Sequence, residues 1–328
     1  MTNLEESTSE QGTHPGAHDA VASRADFSGE GRVVLAATPI GNVSDASARL
    51  VKLLQTADIV AAEDTRRLFD LANRLDVRVK GKVVAYHDHN EHMKADGILD
   101  DVERGATVLL VSDAGMPTIN DPGLTMVRRA IDRGIPVTCA PGPSAVLDAL
   151  ALSGLPTDRF CYEGFVPRKH SERLQHFRSL LAEPRTIVFY ETPHRIEDAM
   201  EDLASVFPAN RPMALARELT KDYEEVRRST VAGILDSVKN DPPRGELVLV
   251  IQGASVEEIQ EGVGAVTVLG APDLAALAQA RAQSENIRIK DAIAQIVAEH
   301  PLPDGSLPNK KEVYNAALSL THHRPAQQ

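Results

Sequence analysis

Apolar positions along the chain alternate between short continuous runs and longer stretches at helical spacing. The run Val33-Val34-Leu35-Ala36-Ala37 is stopped by Thr38-Pro39-Ile40-Gly41-Asn42, the pattern of a buried strand followed by a turn. Residues 44–55 then carry Leu50, Val51, Leu53 and Leu54 at helical spacing, with Ser44 as the expected N-cap. The same reading predicts strands at 58–62, 83–86, 107–111 and 135–138, and helices at 65–75, 91–104, 123–133 and 144–152. Strands alternating with helices of about 10–15 residues predict an open, largely parallel α/β sheet.

The segment Ser153-Gly154-Leu155-Pro156-Thr157 divides this first domain, residues 32–154, from a second at 155–253. In the second, strands are expected at 160–165, 185–190, 213–216, 226–231 and 246–251, with helices at 171–181 and 196–206. The last three strands are read without a helix between them, which implies some antiparallel pairing. Residues 252–270 read as a linker, followed by helical stretches at 274–283, 289–298 and 310–320, so 254–328 is a linker and small helical tail. Residues 1–31 are rich in Ser, Thr, Glu, Gly and His without apolar periodicity and read as a disordered tail. The fold class expected is therefore two α/β domains of different topology with a small helical C-terminal tail.

Charge narrows the function classes. The 328 residues include 35 Lys and Arg against 47 Asp and Glu, a formal net charge of −12, which disfavours non-specific nucleic-acid binding but leaves room for a local basic surface. No apolar run approaches the ~18 residues of a membrane span, and the start lacks a secretory pattern. Two cysteines, Cys139 and Cys161, make neither a disulfide framework nor a multi-cysteine zinc site, so a reducing cytoplasm is expected.

Three Gly/Pro-rich loops leave predicted strands: 38–42, 112–117 and 140–145. Glycine lets a backbone approach a ligand closely, and in a parallel sheet ligands sit beyond the carboxyl ends of strands. Neither a G-x-G-x-x-G after the first strand nor a G-x-x-x-x-G-K-[ST] is present, so the usual phosphate cradles are missing. A ligand needing backbone contacts without a phosphate nest, such as an adenosine carrying an amino-acid tail, fits better.

Nine blocks occur in order: VVLAATPIGN (33–42), AAEDTR (61–66), YHDHNE (86–91), VSDAGMPTINDPG (111–123), PGPSA (141–145), GLPTDRF (154–160), FYETPHR (189–195), RELTK (217–221) and GELVLVI (245–251). Together they resemble the small-subunit ribosomal RNA methyltransferase I family, within the tetrapyrrole-methylase superfamily of class III methyltransferases, over residues 33–252. The resemblance implies S-adenosylmethionine-dependent 2′-O-methylation of a cytidine ribose in 16S rRNA, free or in the 30S subunit, by a homodimer. It also implies cofactor contacts at Pro39, at Val111, Ser112, Asp113 and Met116, at Ser144 and Ala145, and at Tyr190, Glu191 and Leu219. Ser-Asp-Ala-Gly stands where tetrapyrrole enzymes typically have Gly-Asp-Pro, which favours the ribosomal RNA branch; Met116 departs from the Thr common there.

The remaining constellations carry two readings each. His87, Asp88, His89, Glu91 and His92 resemble a metal cluster superficially, but at a strand-to-helix join they fit a hydrogen-bonding wall for RNA, or simple capping, better; no metal is expected. Glu63-Asp64-Thr65-Arg66 is a helix N-terminus by composition, or a carboxylate orienting the acceptor with Arg66 on a phosphate. Arg195, Arg217 and Lys221 are surface ion-pair partners or, with Arg66, a basic patch for RNA from motifs expected to face one cleft. Methyl transfer from a sulfonium needs alignment of oxygen, carbon and sulfur and removal of a hydroxyl proton. Glu63, Asp64, His87, Glu91 and Glu191 are all candidates for that proton, and sequence does not choose among them. The competing functions are methylation of a small molecule such as a tetrapyrrole, and non-catalytic nucleic-acid binding through the tail.

Overall fold

The computed structural model describes residues 31–260, 270–285, 287–300 and 307–322. Residues 1–30 of the expected tail and 261–269 of the expected linker lie outside the described residues. The chain divides into two compact units, Met1–Asp148 and Ala149–Gln328.

In the first unit, five strands, β1 (Arg32–Ala36), β2 (Ile59–Ala62), β3 (Lys82–Ala85), β4 (Thr107–Val111) and β5 (Val137–Ala140), form one sheet in the order β3-β2-β4-β1-β5. Every pair is parallel. Helices α1 (Ala48–Thr56), α2 (Thr65–Arg74), α3 (Glu91–Glu103), α4 (Leu124–Asp132) and α5 (Ala145–Ser153) connect or follow the strands. Alternate strand residues feed opposite faces. Val33, Ile59, Ala61, Val108 and Leu110 pack with Ile98 and Leu99 of α3 and Met126 of α4. Val34, Val60, Leu109 and Val111 pack with Leu50 and Leu54 of α1 and Leu68 of α2. Burial on both faces is why these strands read as unbroken apolar runs.

One local expectation is corrected. Helix α1 is capped by Ser47, whose hydroxyl accepts the N–H of Leu50 at 3.0 Å. Ser44 lies instead in a 3₁₀ turn, Val43–Asp45, where the Asn42 side chain accepts its N–H at 3.0 Å. Asn42 takes the turn because a short acceptor side chain bonds the backbone two residues on.

The second unit holds β6 (Phe160–Phe165), β7 (Thr186–Glu191), β8 (Pro212–Arg217), β9 (Glu225–Thr230) and β10 (Leu247–Ile251), in the order β6-β7-β10-β8-β9. Strands β6 and β7 are parallel; β10 is antiparallel to both β7 and β8, and β8 to β9. Helices α6 (His170–Ser179), α7 (Ile196–Val206) and α8 (Val231–Asn240) cover one face. Antiparallel pairing is present, but the premise that β9 and β10 lack a helix between them is wrong: α8 joins them. Thr230 caps α8 by accepting the N–H of Gly233 at 3.2 Å, and Val231, Ile234 and Val238 bury its inner stripe.

A short helix α9 (Val256–Gln260) occupies the start of the expected linker. Helices α10 (Ala271–Ser284), α11 (Ile289–Glu299) and α12 (Lys310–His322) form the small C-terminal helical region. Its own core joins Leu274, Ala278, Ile293, Ile296, Val297 and Val313.

Candidate functional site

Because β4, β1 and β5 are neighbours in a parallel sheet, the three Gly/Pro-rich loops leave its carboxyl edge side by side. Two of them are stitched together. The Thr38 N–H donates to the Gly115 carbonyl at 2.9 Å, and the Gly115 N–H returns to the Thr38 carbonyl at 3.0 Å. The hydroxyl of buried Ser112 donates to the same Gly115 carbonyl at 3.1 Å. Gly115 has φ +82°, and a Cβ on Gly142 would stand 3.0 Å from that of Ala37, so both loops depend on glycine. Pro39, Val111, Ser112, Asp113, Met116, Ser144 and Ala145 all lie on these loops or at their strand ends. Met116 places its sulfur 3.7 Å from that of Cys139 at the end of β5.

Asp113 ties β4 to β2. One carboxylate oxygen accepts the Asp64 N–H at 3.0 Å, the other faces Arg67 Nε at 3.4 Å, and the Asp113 N–H donates to Glu63 at 3.3 Å. Burial raises the pKa of Glu63, helped by the charges of Asp113 and Asp88. Asp121 is pushed up to about 7 by burial and by Glu63, with the neighbouring Ser112 hydroxyl acting the other way. The loop that delivers Asp121 holds Thr118 at φ 77° and Asn120 at φ 64°, conformations that ordinary side chains seldom adopt. Arg67 and Asp121 were missed by sequence reasoning. Asp121 stands inside the VSDAGMPTINDPG block, and its only signal was a second acid in that block.

The other first-unit candidates have local duties. Asp64 caps α2 through the Arg66 N–H at 2.8 Å and binds the exposed Arg66 guanidinium at 2.7 Å, which holds its carboxyl down to about 2. Glu91 accepts the Gly123 N–H at 3.2 Å and the Thr125 hydroxyl at 2.6 Å, securing the start of α4. His87 lies 2.8 Å from Asn90 through Nε2, while its buried Nδ1 has no hydrogen bond. Its ring meets that of His89 edge-on with centroids 6.0 Å apart.

In the second unit, Glu191 ends β7 fully buried, and burial raises its pKa. Arg195 reaches it at 2.6 Å and also donates to the Val166 carbonyl at 3.1 Å. Tyr190 is half-buried, edge-on to Tyr162 and Phe165 at 5.2 and 5.5 Å. Leu219 is buried between Glu218 and Thr220, both at positive φ. Arg217 pairs with Glu225 at 3.0 Å, and Lys221 with Glu218 at 2.8 Å and Glu246 at 3.3 Å. Each of the four cations expected on RNA therefore has a carboxylate partner within its own unit.

The family model for Tetrapyrrole (Corrin/Porphyrin) Methylases matches residues 32–235. The chain is 46% identical over 276 residues to the Mycobacterium bovis protein named ribosomal RNA small subunit methyltransferase I, covering 83% of this chain and 90% of that one. The Escherichia coli O157:H7 protein of the same name is 43% identical over 231 residues, covering 70% and 80%. Among solved structures, the methyltransferase CobJ aligns with a TM-score of 0.52 at 17% identity, covering 69% of this chain and 95% of that one. Diphthine synthase aligns with a TM-score of 0.51 at 15% identity, covering 71% and 94%. These two likenesses concern the fold; the sequence relatives, at high coverage on both sides, concern descent. The chain belongs to the ribosomal RNA small subunit methyltransferase I family, within the tetrapyrrole methylases.

Proposed function

We propose that this methyltransferase transfers the methyl group of S-adenosylmethionine to the 2′-hydroxyl of a cytidine ribose in 16S rRNA, acting as a homodimer on free rRNA or the 30S subunit. Its family membership makes it a methyltransferase, and its methyl donor is S-adenosylmethionine. The relatives' names supply the ribosomal RNA; the cytidine 2′-hydroxyl rests on the family resemblance.

The observation that carries the reading is the row of three loops at the carboxyl ends of β4, β1 and β5. The Thr38–Gly115 bridge and the close approach of Gly142 to Ala37 fit a cofactor recognised through backbone rather than through a phosphate nest. Asp113 and Ser112 add a carboxylate and a hydroxyl for ribose and amino groups. Tyr190, Glu191 and Leu219 keep their cofactor assignment on the family resemblance.

When bound, S-adenosylmethionine supplies an electrophilic methyl on a sulfonium whose departure leaves a neutral thioether. The chain's work is then to position the acceptor and to accept its proton. Asp64 and Glu91 are committed to capping. Glu63, whose surroundings raise its affinity for a proton, is the best suited of the four first-unit candidates, and His87 follows with its free Nδ1. Among the described residues, no helix is long and apolar enough to cross a membrane.

Incubation with methyl-labelled S-adenosylmethionine and free 16S rRNA, 30S subunits or a tetrapyrrole tests the reading. Label in rRNA, mapped by nuclease digestion to a cytidine 2′-O-methyl group, is the expected result. Label confined to the tetrapyrrole overturns it.

A further inference from the structure

The second unit carries an open pocket of about 650 Å³, lined by Pro193 and His194 after β7, Arg217 at the end of β8 and the 241–245 loop before β10. A volume of this order accommodates a nucleotide-sized group. Its walls are stiff. Pro193, Pro242 and Pro243 fix φ along the rim, and Gly245 is held at φ +87° against Glu218.

The charge inside is unbalanced. The Asp241 carboxylate, the lining acid, is taken by Arg227 at 2.6 Å. Arg217 meets Glu225 through Nε alone, and its two terminal nitrogens make no hydrogen bond with the described residues. Glu246, which follows Gly245, is paired with Lys221. His194 and Arg244 are exposed, and neither makes a hydrogen bond or ion pair with the described residues. In a chain of net charge −12, two such donors beside a half-used guanidinium fork form a ready anion site.

We propose that this pocket seats a phosphodiester of the RNA substrate, with Arg217 and Arg244 as guanidinium donors and His194 closing the third side. The proposal rests on the RNA reading above; it keeps Arg217, already expected on RNA, and adds His194 and Arg244, which were not. Of the four cations expected on RNA, Arg66, Arg195 and Lys221 are occupied by carboxylates, and Arg217 meets one through Nε alone.

The test is binding of a 16S rRNA transcript by His194→Ala/Arg244→Ala and by Arg244→Lys across a salt series, with cofactor affinity measured by calorimetry. The double variant should bind RNA about tenfold or more weakly, with a log–log salt slope shallower by about 0.7 per lost contact. Its cofactor affinity and melting temperature should match the wild type, and Arg244→Lys should keep the slope. Unchanged RNA affinity and slope in the double variant overturn the proposal. If the wild-type protein neither binds nor methylates RNA, it is the RNA reading that has failed. Inorganic phosphate titrated against the His194 imidazole signal then judges the anion site by itself. A saturable shift lost in Arg244→Ala supports the site, and no shift overturns it.

Discussion

The buried carboxylate of Glu191 and the guanidinium of Arg195, four residues on across the turn after β7, meet at 2.6 Å. Arg195 also donates to the Val166 carbonyl at 3.1 Å and to the Thr192 hydroxyl at 3.3 Å, so it fastens the end of β7 to the segments around it. Removing it leaves a buried carboxylate without its counter-charge. Arg195→Ala should therefore lower unfolding stability by about 3–5 kcal/mol, read from the urea midpoint. An unchanged midpoint would release Arg195 for the RNA role that its motif first suggested.

Asp113 acts through two different bonds, which separate on substitution. Asp113→Ala deletes the acceptor for the Asp64 N–H and the partner of Arg67; Asp113→Asn keeps an acceptor oxygen and loses the charge. Calorimetry with S-adenosylmethionine should show at least about a tenfold loss for Asp113→Ala, roughly 1.4 kcal/mol, and an intermediate loss for Asp113→Asn. Affinity within about twofold of wild type for both variants would remove this loop from the cofactor site.

The first unit was legible because its central strands β1, β2 and β4 are buried on both faces: apolar runs such as 33–37 and 107–111 leave little choice of element. Its loops were legible because Gly and Pro punctuate them. Helix α8 was not. Its sequence opens with Val231 and contains Gly233, both poor helix formers, directly after a β-rich stretch, and only packing of Val231, Ile234 and Val238 on the sheet decides its state. The candidate site divides in the same way. Loops 38–42 and 112–117 are local in sequence and were found. The pairing of Lys221 with Glu246, and the crowding of Asp121 by Glu63, join residues 25 and 58 positions apart, and no local pattern records them.

Gly245 is required by Glu218. A Cβ at Gly245 would stand 2.2 Å from the Glu218 carboxyl carbon, and φ there is +87°. That carboxylate accepts from Lys221 at 2.8 Å and from the Glu246 N–H at 2.9 Å, so it cannot swing aside freely. Gly245→Ala should cost more than about 1 kcal/mol, read as a lower melting temperature. Adding Glu218→Ala should recover part of the loss by removing the clash but not the backbone strain. No recovery would locate the whole cost in φ.

The homodimer is tested by mass. Light scattering at micromolar concentration should return twice the 35.4 kDa of one chain. A monomer that methylates rRNA at full rate would overturn the dimer and leave the fold and cofactor assignments standing.

Asp121 gives the protein a pH dependence of stability opposite to that of an ordinary paired carboxylate. Its folded-state pKa is about 7, against about 3.9 for an unfolded aspartate. Between those values the folded chain keeps a proton that the unfolded chain has released. The contribution of this group is therefore fully present below about pH 4 and is lost as pH rises through about 7. By contrast, Asp64, held near 2 by Arg66, adds a contribution that is lost only in acid. The urea midpoint should thus fall between about pH 5 and about pH 8 in the wild type, and Asp121→Asn, neutral throughout, should flatten that fall. Glu63→Gln should leave a residual slope displaced to lower pH, because burial would still raise Asp121 but the neighbouring charge would be gone. If Asp121→Asn follows the wild-type curve, Asp121 is ionised at neutral pH in the folded chain. Asp121 and the acids whose charges bear on it, Glu63, Asp113 and Asp88, would then have to share their charge through solvent rather than through a held proton.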